Sequence, residues 1–387
     1  MINAIPGDIA LPAMSLAFDF ESLATRFSEA CALDVKQCRR LDTKYVPGQS
    51  CVVVYWLSGI AASRRVETIG VVEVDRNGIR HRSFIDDPAL PGLREAIDGE
   101  RVRVRLGGTS SCRVTPVRHK PGISCVLRYT IADNDTELFA KAFARGSERQ
   151  GEILRTLARA MSPVPAVPMP VADWVDLQVV VAESLPGRPL GAAVWEPAAF
   201  TAAGRAMSAF HREIRADGAA RTLHDDVAEL PGYRPLFVRL APDLADRVDA
   251  CVHELHELEV GTSPVPSHGA LRADQVVIDG AGRVGLLDLD GFCWADPARD
   301  YANLVGYLEW RSIREPASAT LIQRALAAWR DGYVRGGGTV DPGSLAAFRS
   351  ATLLKIAGRC LRSLRTDEWD RLAILVDRAE TSLGMLN

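Results

Sequence analysis

The residues best placed to do chemistry fall in one island. It reads Ser267-His268-Gly269-Ala270-Leu271-Arg272-Ala273-Asp274-Gln275-Val276-Val277-Ile278-Asp279, turns at Gly280–Gly282, and returns as Arg283-Val284-Gly285-Leu286-Leu287-Asp288-Leu289-Asp290. Asp296-Pro297-Ala298-Arg299-Asp300-Tyr301-Ala302 follows. A loop, two short strands and a return loop gather these polar side chains around one point. Phosphoryl transfer uses such a gathering. A divalent cation neutralises the phosphates, and a carboxylate orients the attacking hydroxyl and takes its proton.

The surrounding elements must hold that island in place. Residues 17–41 place apolar side chains at three- and four-residue intervals, which predicts a helix. From Lys44 the period changes: strand, Pro47-Gly48 turn, strand through Tyr55. The pattern PGxSCVxxY returns at Pro121–Tyr129, 74 residues on. Two copies of one hairpin are too few for a solenoid and predict two stacked β-rich layers. Between them lie a Pro/Gly connector at 85–93 and a predicted short strand at Val102–Leu106. A strand over Glu137–Phe143 carries Lys141, and a helix from Ser147 to Met161 ends in the Pro-rich SPVPAVPMPV. Residues 174–184 predict a strand running into the Leu185-Pro186-Gly187 bend, and most of the chain beyond Ala193 reads as helix. This is an α+β, two-lobed layout with a crevice near residues 183–190.

In order, spacing and flanking strands the chain resembles the aminoglycoside phosphotransferase/choline-kinase-like family, which has a protein-kinase-like fold. The family signature is HGDxxxxN, a hydrophobic-Asp strand end, then DPxxDLA. Here His268-Gly269-Ala270 and Gln275 are followed by Leu287-Asp288, eighteen residues past Ala270, and by Asp296-Pro297 and Asp300-Tyr301-Ala302. The resemblance implies ATP or GTP with Mg²⁺ as cofactors and Asp288 as a metal ligand. Gln275 takes the place of the second ligand and keeps the amide oxygen. Maltokinase-like members make the same Gln choice and carry extra N-terminal structure. The implied division is a cap-like subdomain over 1–105, a nucleotide-binding N-lobe over 106–184, and a helical C-lobe with the catalytic and metal loops over 185–387.

The same resemblance assigns the nucleotide side. Lys141 matches the strand lysine that holds the α/β-phosphates; the alternative is a solubility lysine on an edge strand. Its partner should be a Glu on the next helix. The aligned slot holds Gln150, with Glu148 and Glu152 within one turn; Glu152 is preferred. No GxGxxG is present, so the Lys120–Ser124 turn would cover the phosphates, with Lys120, Gly122 and Ser124 forming a backbone nest. Glu183 and Leu185 would lie at the hinge whose backbone binds adenine.

One position departs from the family. The catalytic Asp is replaced by Ala270, beside His268. A methyl group neither accepts a proton nor holds a hydroxyl. Either an active kinase has been inactivated by an Asp→Ala change, or the chain is a pseudokinase that binds nucleotide or partner without turnover. The retention of His268, Gly269, Asp288, Asp296 and Asp300 favours the former. Nucleotidyl transfer on the same scaffold is a third reading.

Composition sets outer bounds. The chain has 387 residues, 47% hydrophobic and 25% charged, with a net charge of −3. These values exclude wholesale disorder and give no basic excess for nucleic acid. No apolar run approaches the roughly 18 residues of a membrane span. Eight cysteines form no CxxC or zinc-spaced cluster, and His253 and His256 read as ordinary helix residues. A cytoplasmic enzyme is expected, monomeric or homodimeric, acting on a small-molecule or peptide natural-product substrate. Arg311, Arg314, Lys355, Arg359, Arg362 and Arg365 form either a solvated helix face or a contact for an anionic or peptide substrate.

Overall fold

Two sheets and a connector dominate the N-terminal half. Helix α1 (Phe20–Cys31) precedes an antiparallel sheet of β1 (Asp34–Val46), β2 (Ser50–Ala61), β3 (Arg64–Asp75) and β4 (Gly78–Ser83). Helices α2 (Leu93–Ala96) and α3 (Gly99–Arg105) lead to β5 (Cys112–Lys120), β6 (Ser124–Ile131) and β7 (Thr136–Phe143). Helix α4 (Ser147–Ala158) and strands β8 (Pro170–Trp174) and β9 (Val179–Glu183) follow, and the second sheet is ordered β5-β6-β7-β9-β8. The computed structural model describes residues 5–61, 63–132, 135–160, 164–192, 194–261 and 263–386. The chain divides into two compact units: Met1–Glu152 with Met169–Ser184 and Arg362–Thr366, and Ile153–Pro168 with Leu185–Leu361 and Asp367–Asn387.

In the first unit the sheets share one core. Val54 and Ile69 of the first sheet, Phe84, Leu90 and Leu93 of the connector, and Cys125, Leu127 and Tyr129 of the second sheet pack together. The echoed hairpin is part of a longer repeat. Asp8 Oδ2 accepts from the Gly48 N–H (2.8 Å) and the Tyr45 hydroxyl (2.6 Å). Asp87 Oδ2 accepts from the Gly122 N–H (2.8 Å) and lies 3.2 Å from His119 Nε2. The other carboxylate oxygens accept from Ala10 and Ala89, both at 3.0 Å. Leu-Pro follows in each copy at Leu11-Pro12 and Leu90-Pro91, and both leucines are buried. The Tyr55 hydroxyl donates to Ala17 O and the Tyr129 hydroxyl to Ala96 O. Asp19 caps α1 and Asp98 caps α3 through backbone N–H groups. Each hairpin turn is thus clasped by a buried aspartate from the segment that precedes it.

Three sequence expectations need correction. Helix α1 stops at Cys31, where Ala32 adopts φ 49°, and residues 34–46 are strand. Register shifts between Val35 and Gln37 and between Arg40 and Asp42 make the shielded residues Val35, Cys38 and Leu41 recur every third position, which mimics a helix. The alternation Val102–Leu106 is helix α3; its Asp98 cap and the Arg103–Glu100 pair override the strand pattern. Residues 174–184 are two strands parted by a 3₁₀ turn that ends at Gln178, φ 56°. Helix α4 ends at Ala158, and its expected end, Met161, lies outside the described residues.

The second unit carries the island. It comprises β10 (Arg188–Pro189), α5 (Pro197–Glu213), β11 (Ala219–Arg221), α6 (Leu223–Val227), α7 (Arg234–Leu240) and α8 (Pro242–Glu257), then β12 (Val265–Ser267), β13 (Val276–Ile278), β14 (Val284–Leu286) and β15 (Cys293–Ala295). Helices α9 (Pro297–Arg314), α10 (Ala319–Arg335), α11 (Pro342–Arg362) and α12 (Leu372–Gly384) complete the chain. Sheets β10-β13-β14 and β11-β15-β12 hold the two arms of the island. Phe200 and Phe210 of α5 and Trp329 and Tyr333 of α10 are buried in one cluster with Leu271, Leu286 and Leu289 of the island. Among the described residues no helix is long and apolar enough to cross a membrane.

Candidate active site

The loop after β12 is held from below. Asp300, fully buried on α9, accepts from the N–H groups of His268 (2.6 Å) and Gly269 (2.8 Å), and His211 Nε2 lies 3.3 Å from it. His211 Nδ1 meets the Tyr333 hydroxyl at 2.7 Å. Burial pushes the Asp300 carboxyl up, but the His211 hydrogen bond and the charges of His211, His268 and Arg299 outweigh it and hold it below the ordinary carboxylate range. Asp296 caps α9 through the Ala298 N–H, and Pro297 follows at the first helical position, so the DPxxD stretch sets both the helix start and the inward Asp300. Gly269 has φ +84°, and a Cβ there would lie 1.8 Å from Gly291 O; no other residue fits.

The loop is also tied to the return strand. Buried His268 sets its Nε2 2.8 Å from Leu287 O. Asp288, the next residue, is half-buried in the left-handed region at φ 59°, a conformation Asp tolerates and that concentrates at functional sites. The Gln275 amide nitrogen donates to Asp288 Oδ2 at 3.3 Å, and its oxygen accepts from the Arg272 N–H at 2.9 Å. The structure therefore brings His268, Gln275 and Asp288 together. A Mg²⁺ bound by one or two protein oxygens plus phosphates matches this donor set, once the Gln275 amide turns its oxygen towards Asp288. Among the described residues no group of three His, Cys, Asp or Glu is arranged for a metal.

Ala270 is exposed and lines a pocket in this unit with Asp226, Arg272, Tyr307, Lys355 and Arg359. Asp274 is drawn to Arg272 at 3.1 Å and Asp290 is exposed in a 3₁₀ turn. Arg299 donates to Gly269 O and makes two bonds to Asp226, at 2.6 and 3.0 Å. His211, Asp226 and Tyr333 were not among the sequence candidates. They lie 42 to 63 residues from the His268–Ala270 loop and share no local pattern with it; only the tertiary fold brings them there.

The nucleotide-side candidates sit on the second sheet of the first unit. Lys141 pairs with Val126 and Val180, so its strand is interior to the sheet, and Nζ lies 5.6 Å from the Phe143 ring centre. Glu148 and Glu152 are exposed on α4 and Gln150 is buried. In the Lys120–Ser124 turn, Ile123 N–H donates to Lys120 O, Gly122 has φ +73° and Ser124 is buried. The Gly122 N–H, expected to face phosphate, is bound to Asp87. Glu183 ends β9 with its N–H on Met169 O, and Leu185 opens the next stretch of the second unit, half-buried.

The fold and this loop define the protein-kinase-like class. Residues 127–347 match the model of the phosphotransferase enzyme family APH, and the chain belongs to that family. No curated protein matches it. Among solved structures it is similar to the amicoumacin kinase hAmiN in complex with AMP-PNP, Ca²⁺ and Ami, at 16% identity and TM-score 0.52, over 71% of this chain and 92% of that one. It is also similar to spectinomycin phosphotransferase APH(9)-Ia with ADP and spectinomycin, at 11% identity and TM-score 0.52, over 75% and 98%. A thermostable mutant of aminoglycoside phosphotransferase APH(4)-Ia in its apo form gives 14% identity and TM-score 0.53, over 74% and 98%. At these identities the likeness establishes the α+β, protein-kinase-like fold.

Proposed function

We propose that the chain is built as an ATP- or GTP- and Mg²⁺-dependent phosphotransferase for a hydroxyl of a small molecule or peptide natural product. The observation that carries this is the joined loop pair, with His268 held on Leu287 O and Gln275 on Asp288. In this reading Asp288 and the Gln275 oxygen hold Mg²⁺, which neutralises phosphate charge when bound. Lys141 supplies a point charge to the phosphates, with Glu152 as its partner. Lys120, Gly122 and Ser124 cover the nucleotide, and Gly122 can do so only by releasing Asp87. Glu183 and Leu185 flank the adenine. The similar structures solved with AMP-PNP or ADP and an antibiotic support a nucleotide and a small acceptor.

Ala270 leaves the transfer without its proton acceptor, so the chain as it stands is inactive or severely impaired. The intact bracing of its loop by Asp300 and Arg299 supports a site otherwise ready for catalysis. The same methyl group supports a second reading, a pseudokinase that binds nucleotide or partner. Calorimetry with Mg²⁺-AMP-PNP tests what both readings share: binding that loses its Mg²⁺ dependence in Asp288→Ala supports the metal assignment, and unchanged Mg²⁺ linkage overturns it. Phosphoryl transfer by the Ala270→Asp variant separates the two.

A further inference from the structure

The pocket beside Ala270 carries more positive charge than its own carboxylates answer. Four cations, Arg272, Arg299, Lys355 and Arg359, line it against two carboxylates, Asp226 and Glu229. Those two are already shared. Arg299 makes two bonds to Asp226, Lys355 Nζ lies 2.9 Å from Glu229 and 3.5 Å from Asp226, and Arg221 reaches both at 3.5 and 3.1 Å. Arg359 stands outside this network. It hydrogen-bonds the Tyr307 and Tyr233 side chains, its Nε has no hydrogen-bond partner, and no described carboxylate pairs with it. A guanidinium stays protonated at any working pH. Arg272, two residues past Ala270, is paired at 3.1 Å with the exposed Asp274 and lies 5.6 Å over the ring of the same Tyr307, so Arg359 is the lining cation left without a carboxylate. Tyr307 thus sits between two guanidinium groups that face the pocket.

A partly buried cation without a counter-charge is costly, and a ligand that brings the negative charge recovers that cost through charge-assisted, bidentate hydrogen bonds. A polyamine-like acceptor would meet repulsion from the same groups. Of the cations read from the sequence as one helix face, Arg311 and Arg314 are engaged elsewhere, with Glu315 and Glu368, whereas Lys355 and Arg359 line the pocket.

We propose that this pocket binds a compact oxyanion group of the acceptor, a carboxylate or a phosphate ester, through Arg359 and Arg272. The inference rests on the phosphotransferase reading in calling the ligand an acceptor; the anion site itself stands on the pocket alone. The test is calorimetric titration of the full chain with inorganic phosphate, with succinate and with spermidine at matched ionic strength, in the parent and in Arg359→Gln and Arg272→Gln. Binding of phosphate or succinate that weakens at least about tenfold, or 1.4 kcal/mol, in either folded variant supports the proposal. Phosphate alone indicates a phosphorylated acceptor and succinate alone a carboxylate. Binding of neither anion, binding indifferent to both substitutions, or tighter binding of spermidine overturns it. Should Arg359→Gln not fold, Arg272→Gln decides. A parallel titration with Mg²⁺-AMP-PNP separates the failures: if only that titration is blank, the phosphotransferase reading falls and the anion site stands.

Discussion

Glu73 and Lys141 occupy the same place in the two copies of the repeated hairpin. Glu73 lies opposite Val52 and Lys141 opposite Val126, and these valines are equivalent positions of the PGxSCVxxY pattern. In the first copy the carboxylate of Glu73 is held by Arg82 at 2.9 and 3.1 Å. An acid in this place would repel phosphate, so the first copy lacks the charge that the proposed function draws from Lys141 in the second. The N-terminal sheet therefore carries a copy of the Lys141 hairpin with the opposite charge at the equivalent place.

This contrast gives the first prediction. Lys141→Ala should weaken Mg²⁺-AMP-PNP binding about tenfold or more while leaving the thermal midpoint unchanged, since in the proposed function the lysine would contribute a point charge to phosphate. Glu73→Ala should leave that affinity alone. Calorimetry and thermal unfolding on both variants check this. A collapse of stability with affinity preserved would mark Lys141 as structural.

The Asp87 clasp predicts an acid-sensitive turn. Burial pushes its carboxyl up, but the close His119 imidazole at 3.2 Å, the hydrogen bonds from the Gly122 and Ala89 N–H groups and the charge of Arg82 hold it well below the usual range. A carboxyl depressed on folding stabilises fully above its unfolded value near 4 and loses that contribution as pH falls through the lower folded value. Asp87→Asn should cost about 1.5–3 kcal/mol at pH 7, the size of hydrogen bonds to a charged group. Below pH 4 the parent should lose stability more steeply than the variant. Denaturant midpoints across pH 2–7 read both effects, and parallel curves would rule the clasp out.

Asp300 supports the loop rather than the reacting atoms. Asp300→Ala strips the His268 and Gly269 N–H groups and His211 of their shared partner in a buried place. A loss of about 3–5 kcal/mol is expected, since the change removes a buried carboxylate that accepts several hydrogen bonds and leaves their donors unpaired. Urea unfolding checks it; a change below 1 kcal/mol would contradict the bracing role.

The strands that carry Lys141 and the Pro-Gly hairpins were legible because alternation and turn chemistry are local. So was the order of the island, because Gly269, Asp296 and Asp300 are fixed by a left-handed backbone, a helix cap and an inward helix position. Strand β1 was not, since its two bulges reset the period from two to three. The repeat's second layer also escaped notice. Asp8 and Asp87 lie 40 and 35 residues before their glycines and make sense only once the hairpins are folded. The charge balance of the pocket was hidden for the same reason: Asp226 pairs with Arg299 and Lys355 from three different helices.

The last prediction concerns Ala270. Its methyl group lies on a loop whose backbone is fixed at His268 and Gly269 by Asp300 and at Gly269 O by Arg299. An Asp introduced there inherits a positioned backbone, and its carboxylate would join the pocket that Ala270 lines. General-base assistance contributes about 10²–10⁴-fold, and holding the hydroxyl in line can add to that. Ala270→Asp should therefore switch on phosphoryl transfer from Mg²⁺-nucleotide by at least about a hundredfold. Ala270→Asn should recover far less, because an amide positions a hydroxyl without taking its proton. Matched acceptors, each hydroxylated compound with and without a carboxylate or phosphate, make the assay informative about the pocket as well. Product is followed by its gain of a phosphoryl group in mass spectrometry, which also distinguishes nucleotidyl transfer. If Ala270→Asp shows only the background nucleotide hydrolysis of the parent across such a panel, while Mg²⁺-AMP-PNP still binds, the pseudokinase reading takes the place of the phosphotransferase.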